Sequence, residues 1–114
     1  EMVFKTLVAR GDKSGPCVFV IPVAEELDLK RAASASGNKK VEMVHVRDLL
    51  GLTGYIRGGC SPVGMKKSFP TYFDSMCTLC DRISVSAGAR GCQVVVETDA
   101  LVAYVGGTVC DLIR

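Results

Sequence analysis

A single α+β domain with a mixed β-sheet and interspersed helices is the fold class that this sequence predicts, on three observations. The 114 residues suit one hydrophobic core of ordinary size. Short runs rich in β-branched and aromatic residues, separated by turn clusters, dominate the chain. Helical stretches fall between them without the regular strand–helix alternation of a parallel α/β sheet. No internal repeat, low-complexity segment or interdomain linker divides residues 1–114.

Phe4 to Ala9 and Cys17 to Val23 are the first two predicted strands. Gly11-Asp12-Lys13-Ser14-Gly15-Pro16 between them makes a hairpin turn. Asp28 is placed to cap a helix from Leu29 to about Ser36, with Leu29, Ala32, Ala33 and Ser36 facing inward and Gly37 stopping it. Lys40 to Val44 follows as a short strand. A short helix over Arg47–Leu52, starting as early as His45, ends at Gly54. Gly58-Gly59-Cys60-Ser61-Pro62-Val63-Gly64 holds three glycines and a proline, a composition that favours a loop able to approach a ligand closely. Thr71–Phe73 and Arg82–Val85 are further strands, then Ser86–Gly91 forms a second glycine-bearing loop. Cys92–Val96 is a strand, Thr98 caps a last helix reaching about Val105, and Thr108–Leu112 adds a final strand.

Bulk properties narrow the function. Hydrophobic residues are 48% and charged residues 23% of the chain, and the net charge is +2 from 14 basic and 12 acidic groups. That balance excludes a disordered chain and lacks the strongly basic footprint of many nucleic-acid binders. Lys30–Arg31, Lys39–Lys40 and Lys66–Lys67 remain local clusters that meet either solvent or phosphate. The longest apolar run, Cys17–Val23, is interrupted by Pro22 and too short to span a bilayer. No secretion signal opens the chain, which implies a cytoplasmic location and reduced thiols.

Six cysteines raise the question of disulfides or metal. Cys17 and Cys92 fall in strand-like apolar runs, where a thiol behaves as a small hydrophobe. Cys77-Thr78-Leu79-Cys80 is a single CxxC without a second pair, and the one histidine, His45, is remote in sequence. No zinc ligand set is predicted; a weak thioredoxin-like reading of Cys77–Cys80 is the alternative.

Catalytic equipment is scarce. Neither GxxxxGK[ST] nor GxGxxG occurs, so nucleotide triphosphate and dinucleotide chemistry lose support. No Ser, Cys or Thr stands in a nucleophile elbow with His45, and the adjacent Glu25 and Glu26 would point different ways. Such a domain is either a binder or an enzyme that positions its substrate with backbone dipoles and water. The backbone of Gly58-Gly59, followed by Ser61-Pro62, either presents N–H groups to an oxygen or forms a tight structural turn. Lys5 sits within Val3-Phe4-Lys5-Thr6-Leu7-Val8, sharing a face with Val3 and Leu7. It is either an edge device or a functional cation.

Several of these pieces, in order, resemble one family. They are Phe4-Lys5-Thr6-Leu7; Leu27-Asp28-Leu29-Lys30 with Lys39-Lys40-Val41-Glu42-Met43; Thr53-Gly54-Tyr55 with the Gly58–Gly64 loop; and Val85-Ser86-Ala87-Gly88 with Arg90-Gly91. Together they resemble the YbaK/EbsC branch of the prolyl-tRNA synthetase editing superfamily, from about Phe4 to Glu97 and more loosely to Asp111. The resemblance implies hydrolysis of mischarged tRNA without a cofactor, Cys-tRNA(Pro) being the usual substrate, with prolyl-tRNA synthetase a possible partner. It also implies substrate assistance: a cysteinyl thiol attacks its own carbonyl, or a ribose hydroxyl assists water.

The roles it implies begin with Lys5, the essential cation on the adenosine phosphate or the ester end. Gly58 and Gly59 orient the acyl carbonyl through backbone N–H groups, and Pro62 stiffens their loop beside Ser61. Thr6, Ser86, Gly88 and Gln93 line the substrate region. Gln93 stands where the family carries an aspartate; an amide there hydrogen-bonds but cannot serve as a carboxylate. The family's N-terminal helical segment is expected to be missing before Glu1. A non-catalytic adaptor that binds tRNA or a synthetase is the second reading of the same residues.

Overall fold

The computed structural model describes residues 2–55, 59–63 and 69–114. Strand β1 (Met2–Gly11) and strand β2 (Gly15–Pro22) form the expected hairpin, in antiparallel register from Phe4 opposite Pro22 to Gly11 opposite Gly15. Helix α1 (Leu29–Ser36), strand β3 (Val41–Met43) and helix α2 (Val46–Thr53) follow. Strand β4 (Thr71–Asp74) leads through a 3₁₀ turn, Ser75–Leu79, to strand β5 (Arg82–Ser86). Strand β6 (Gln93–Glu97), helix α3 (Thr98–Val105) and strand β7 (Thr108–Cys110) complete the described elements.

The strands make one mixed sheet in the order β6-β5-β1-β2-β4-β7, with β3 also paired to β1. β1 is antiparallel to β2 and β3 but parallel to β5; β4 is parallel to both β2 and β7. This is the predicted α+β mixed sheet. No described helix is long and apolar enough to cross a membrane.

β2 lies inside the sheet and is buried on both faces, which is why its sequence is an unbroken apolar run. Cys17, Phe19 and Ile21 pack on one side with Ala32, Ala33, Leu27 and Leu112. Val18 and Val20 pack on the other with Phe4, Phe73, Ile83, Val85 and Leu101. A third cluster joins Val8, Leu49 and Cys60 under α2.

The helix signals act as read at α1. Asp28 accepts hydrogen bonds from the Lys30 and Arg31 N–H groups, and Gly37, at φ 74°, closes the helix in the left-handed conformation. Ala32 and Ala33 face inward, but Leu29 is 39% exposed; it begins the helix on the solvent side. Thr98 does not cap α3. It is the helix's first residue, and its hydroxyl instead donates to the Cys80 carbonyl, tying α3 to the 3₁₀ turn. Cys92 is exposed just before β6 rather than within a strand.

Two polar devices lock the sheet. The hairpin turn is fastened to the α1–β3 connection: the Asn38 side-chain oxygen accepts from the Lys13 and Ser14 N–H groups, and Asp12 accepts from those of Lys39 and Lys40. Asp74, 1% exposed, accepts from the N–H groups of Met76 and Leu112 at 2.9 Å each. It joins β4, the 3₁₀ turn and the C-terminal segment.

Two consequences are measurable. Asp74→Ala strands two N–H groups that a charged acceptor now satisfies and should cost about 3 kcal/mol in urea unfolding. Burial, reinforced by Asp74, pushes the Cys77 and Cys110 thiols from an ordinary 9.0 up to about 11. The folded thiols therefore hold protons that the unfolded chain releases, so stability falls as pH rises from about 9 to about 11. Urea midpoints across that range should decline less steeply in Cys77→Ala.

Candidate active site

Pairing along β1 is uneven, and this makes the site. On one edge β2 accompanies the strand from Phe4 to Gly11. On the other, β5 registers with Met2 and Val3 and β3 with Ala9 to Gly11, leaving an interval centred on Thr6. The Val3 carbonyl accepts from the Val23 N–H, so odd-numbered residues turn their backbone groups toward β2. Even-numbered residues turn theirs toward the interval, where the Val8 carbonyl accepts from the Val44 N–H.

A cavity of about 400 Å³ opens at this interval. Lys5 and Thr6 point to opposite faces by strand alternation, yet both line the cavity because the sheet is parted there. Ser86 and Gln93 reach it together from the far strands, being directly opposite one another in the β5–β6 ladder. Cys60, from the glycine–proline loop, closes another wall.

Lys5 is the one charged side chain among the described residues lining the cavity. It makes no ion pair or side-chain hydrogen bond among the described residues. A half-buried ammonium with no carboxylate opposite it is suited to an anionic or strongly polarised ligand. The Thr6 hydroxyl oxygen is buried and has no hydrogen-bond partner among the described residues. A buried hydroxyl without a partner costs stability. Ser86, 7% exposed, accepts from the Gly88 N–H at 3.2 Å. Gln93 accepts from the Ser84 hydroxyl at 3.3 Å through its side-chain carbonyl, leaving its amide group to point elsewhere.

The two glycine loops are packed on each other. A Cβ on Gly59 would stand 3.2 Å from the Arg90 backbone nitrogen and 3.4 Å from the Ala89 carbonyl carbon. Gly88, at φ 98°, leaves room for the Tyr55 ring, 3.0 Å from where its Cβ would be, and the Tyr55 hydroxyl donates to the Val63 carbonyl at 2.7 Å. Gly59 and Pro62 are buried, and Ser61 is 4% exposed, its hydroxyl accepting from the Val63 N–H.

Of the residues expected at the site, Lys5, Thr6, Ser86 and Gln93 converge on the cavity. Gly59, Ser61, Pro62 and Gly88 build the loops behind it and are not among its lining residues. Gly58 lies outside the described residues, as do Lys66 and Lys67. Cys60 escaped the sequence reading; its place between Gly59 and Ser61 was the signal. Its thiol is pushed up by burial, which makes it a wall and not a nucleophile. His45 is exposed at the start of α2 and not among the residues lining the cavity. Cys77, similarly protonated, is the opposite of an activated redox thiol, and no metal-ligand cluster occurs among the described residues.

Residues 1–104 match the family model described as the aminoacyl-tRNA editing domain. The chain belongs to that family. An Enterococcus faecalis protein named "Putative Cys-tRNA(Pro)/Cys-tRNA(Cys) deacylase EbsC" is 54% identical over 110 residues, 96% of this chain and 67% of that protein. A crystal structure described as "a putative trans-editing enzyme for prolyl tRNA synthetase" superposes with a TM-score of 0.91 at 27% identity, covering 98% of this chain and 70% of that one. A hypothetical protein at 23% identity shares the fold, with a TM-score of 0.90 over 99% of this chain and 75% of its own.

The partnerless hydroxyl yields a direct test. Thr6→Val keeps the shape of the side chain and removes the buried oxygen, so the variant should be as stable as the parent or more stable by about 1 kcal/mol. Urea midpoints of the two proteins check this.

Proposed function

We propose that this editing-family domain is a trans-acting aminoacyl-tRNA deacylase, with Cys-tRNA(Pro) as its preferred substrate. The observation that supports this most is the cavity at the parted sheet, which holds one cation and no carboxylate or histidine among its described lining residues. Such a site binds and orients an ester more readily than it activates water by itself.

In this reading the Lys5 ammonium holds the phosphate or ester end of the terminal adenosine. Backbone N–H groups of the Gly58–Gly59 loop orient the acyl carbonyl and stabilise the oxyanion that develops on it. Pro62 and Ser61 keep that loop in shape, and Gly88 lets the second loop fit against it. Thr6, Ser86 and Gln93 supply neutral hydrogen-bonding groups around the ribose and acyl portions. With no side-chain nucleophile or base among the described lining residues, the substrate contributes its own nucleophile: the cysteinyl thiol attacks its carbonyl, its proton passes to the departing ribose oxygen, and water opens the resulting thiolactone to free cysteine. For other acyl groups the neighbouring ribose hydroxyl assists water. Prolyl-tRNA synthetase, which would release the mischarged tRNA, is the natural partner in the cytoplasm.

The EbsC protein's name supports a cysteinyl substrate, and a described lining without a carboxylate suits an acyl side chain that carries no positive charge. Gln93 favours a second reading as a non-catalytic tRNA-binding adaptor, because its amide cannot act as a base. Tight tRNA binding without turnover would select the adaptor.

Hydrolysis of Cys-tRNA(Pro), Ala-tRNA(Pro) and Ser-tRNA(Pro) by the parent and by Lys5→Ala is the decisive assay. The parent should favour the cysteinyl substrate, and the variant should lose at least ~100-fold in kcat/KM, as expected when an electrostatic anchor of the transition state is removed. Undiminished hydrolysis by Lys5→Ala would remove Lys5 from the mechanism. Absence of hydrolysis by the parent would remove the deacylase reading.

A further inference from the structure

Strand β5 alternates between two kinds of residue. Ile83 and Val85 enter the core with Phe4 and Leu101, whereas Ser84 and Ser86 turn to the other face. Both serines are buried, at 8% and 7% exposed, so neither is placed to meet bulk solvent. Ser84 stands level with Val3 of β1 on one side and opposite Val95 of β6 on the other. Valine side chains offer it neither donor nor acceptor. Gln93 does. Directly opposite Ser86, it leans two residues along β5, and its side-chain carbonyl accepts from the Ser84 hydroxyl at 3.3 Å. Ser84 itself is not among the residues lining the Lys5 cavity.

What Lys5, Ser86 and Gln93 have left to offer a ligand is mainly donation. The Lys5 ammonium can only donate. The Ser86 oxygen already accepts from the Gly88 N–H, which leaves its proton to give. The Gln93 carbonyl is engaged by Ser84, which leaves the two N–H hydrogens of the amide. We propose that Ser84 is a positioning residue: by holding the Gln93 carbonyl, it makes Gln93 a hydrogen-bond donor to the acyl carbonyl oxygen of the ester. The inference rests on the deacylase reading of the Lys5 cavity, and it adds a side-chain donor to the backbone N–H groups of the Gly58–Gly59 loop. Without the Ser84 hydroxyl the amide can turn its carbonyl toward the cavity it shares with Lys5. An acceptor oxygen there takes up part of the ammonium's field and faces the developing oxyanion with like charge. A donor aimed at that oxygen is worth most in the transition state, so its loss falls on kcat and not on KM.

Kinetics on Cys-tRNA(Pro) and NMR of the Gln93 side-chain N–H groups, assigned by their absence from Gln93→Ala, test this together. Ser84→Ala should lower kcat about tenfold, the scale of one hydrogen bond, with KM within about twofold of the parent. Ser84→Thr keeps the hydroxyl and should restore kcat. In a Gln93→Ala background, Ser84→Ala should cost nothing further, because the two residues act through one contact. For the NMR arm, free L-cysteine supplies a carboxylate oxygen in place of the acyl oxygen, and cysteamine is the control that has none. L-cysteine should shift the Gln93 side-chain resonances in the parent and in Ser84→Thr, but not in Ser84→Ala; cysteamine should shift them in none. An unchanged kcat in Ser84→Ala, a loss that persists in the Gln93→Ala background, or an L-cysteine shift that Ser84→Ala retains would overturn the assignment. A parent chain that hydrolyses no mischarged tRNA yet shows the Ser84-dependent shift sinks the deacylase reading and leaves the Gln93 donor standing. Hydrolysis with a shift that does not depend on Ser84 does the reverse.

Discussion

Strand β1 has to satisfy three partners, and the rest of the molecule follows from how it divides its edges. β2 takes one edge almost completely, while β5 and β3 take opposite ends of the other. Sheets normally close such an interval because buried backbone groups need partners. Here the strands on either side diverge, and side chains from both faces of one strand come to line a common space. Lys5 and Thr6, consecutive in sequence, come to line the same cavity only for that reason.

The glycine loops complete the arrangement by closeness, not by charge. Gly59 lies against the backbone of Ala89 and Arg90, at a spacing that a methyl group would strain. Tyr55 bridges to Val63 and lies beneath Gly88. Segments from the middle and the end of the chain therefore form one wall. A domain of this size without an activated thiol or a buried histidine among its described residues can still present a shaped polar space, because backbone geometry supplies what side chains do not.

Much of this was legible in the sequence. Punctuation residues located the elements well: Asp28 and Gly37 bracket α1, Gly54 stops α2 at φ 85°, and the turn cluster closes the hairpin. Lys5 was conspicuous because alternation set it on an apolar face. What alternation alone could not give was its reach into a cavity shared with Thr6, since that depends on β5 and β3 parting along β1, a long-range event. Thr98 misled because a threonine before an apolar run has the signature of a cap, whereas the chain uses its hydroxyl to hold the 3₁₀ turn. Cys60 had only its place between Gly59 and Ser61 to mark it, and its part in the cavity wall depends on β1, α2 and the loop packing together.

The fastening of the hairpin turn has a reach beyond stability. A slip of one residue in β1 would swap its two faces, exchanging the ammonium of Lys5 for the hydroxyl of Thr6. Register is held at the far end, where Asn38 grips the turn and Asp12 grips the next connection, roughly 20 Å along the strand from Lys5 at about 3.3 Å per residue. Gly11 is obligatory there, because a side chain would collide with Asn38. An uncharged amide that is not among the cavity's lining residues thus acts as its gauge, holding at a distance which side chain of β1 stands where.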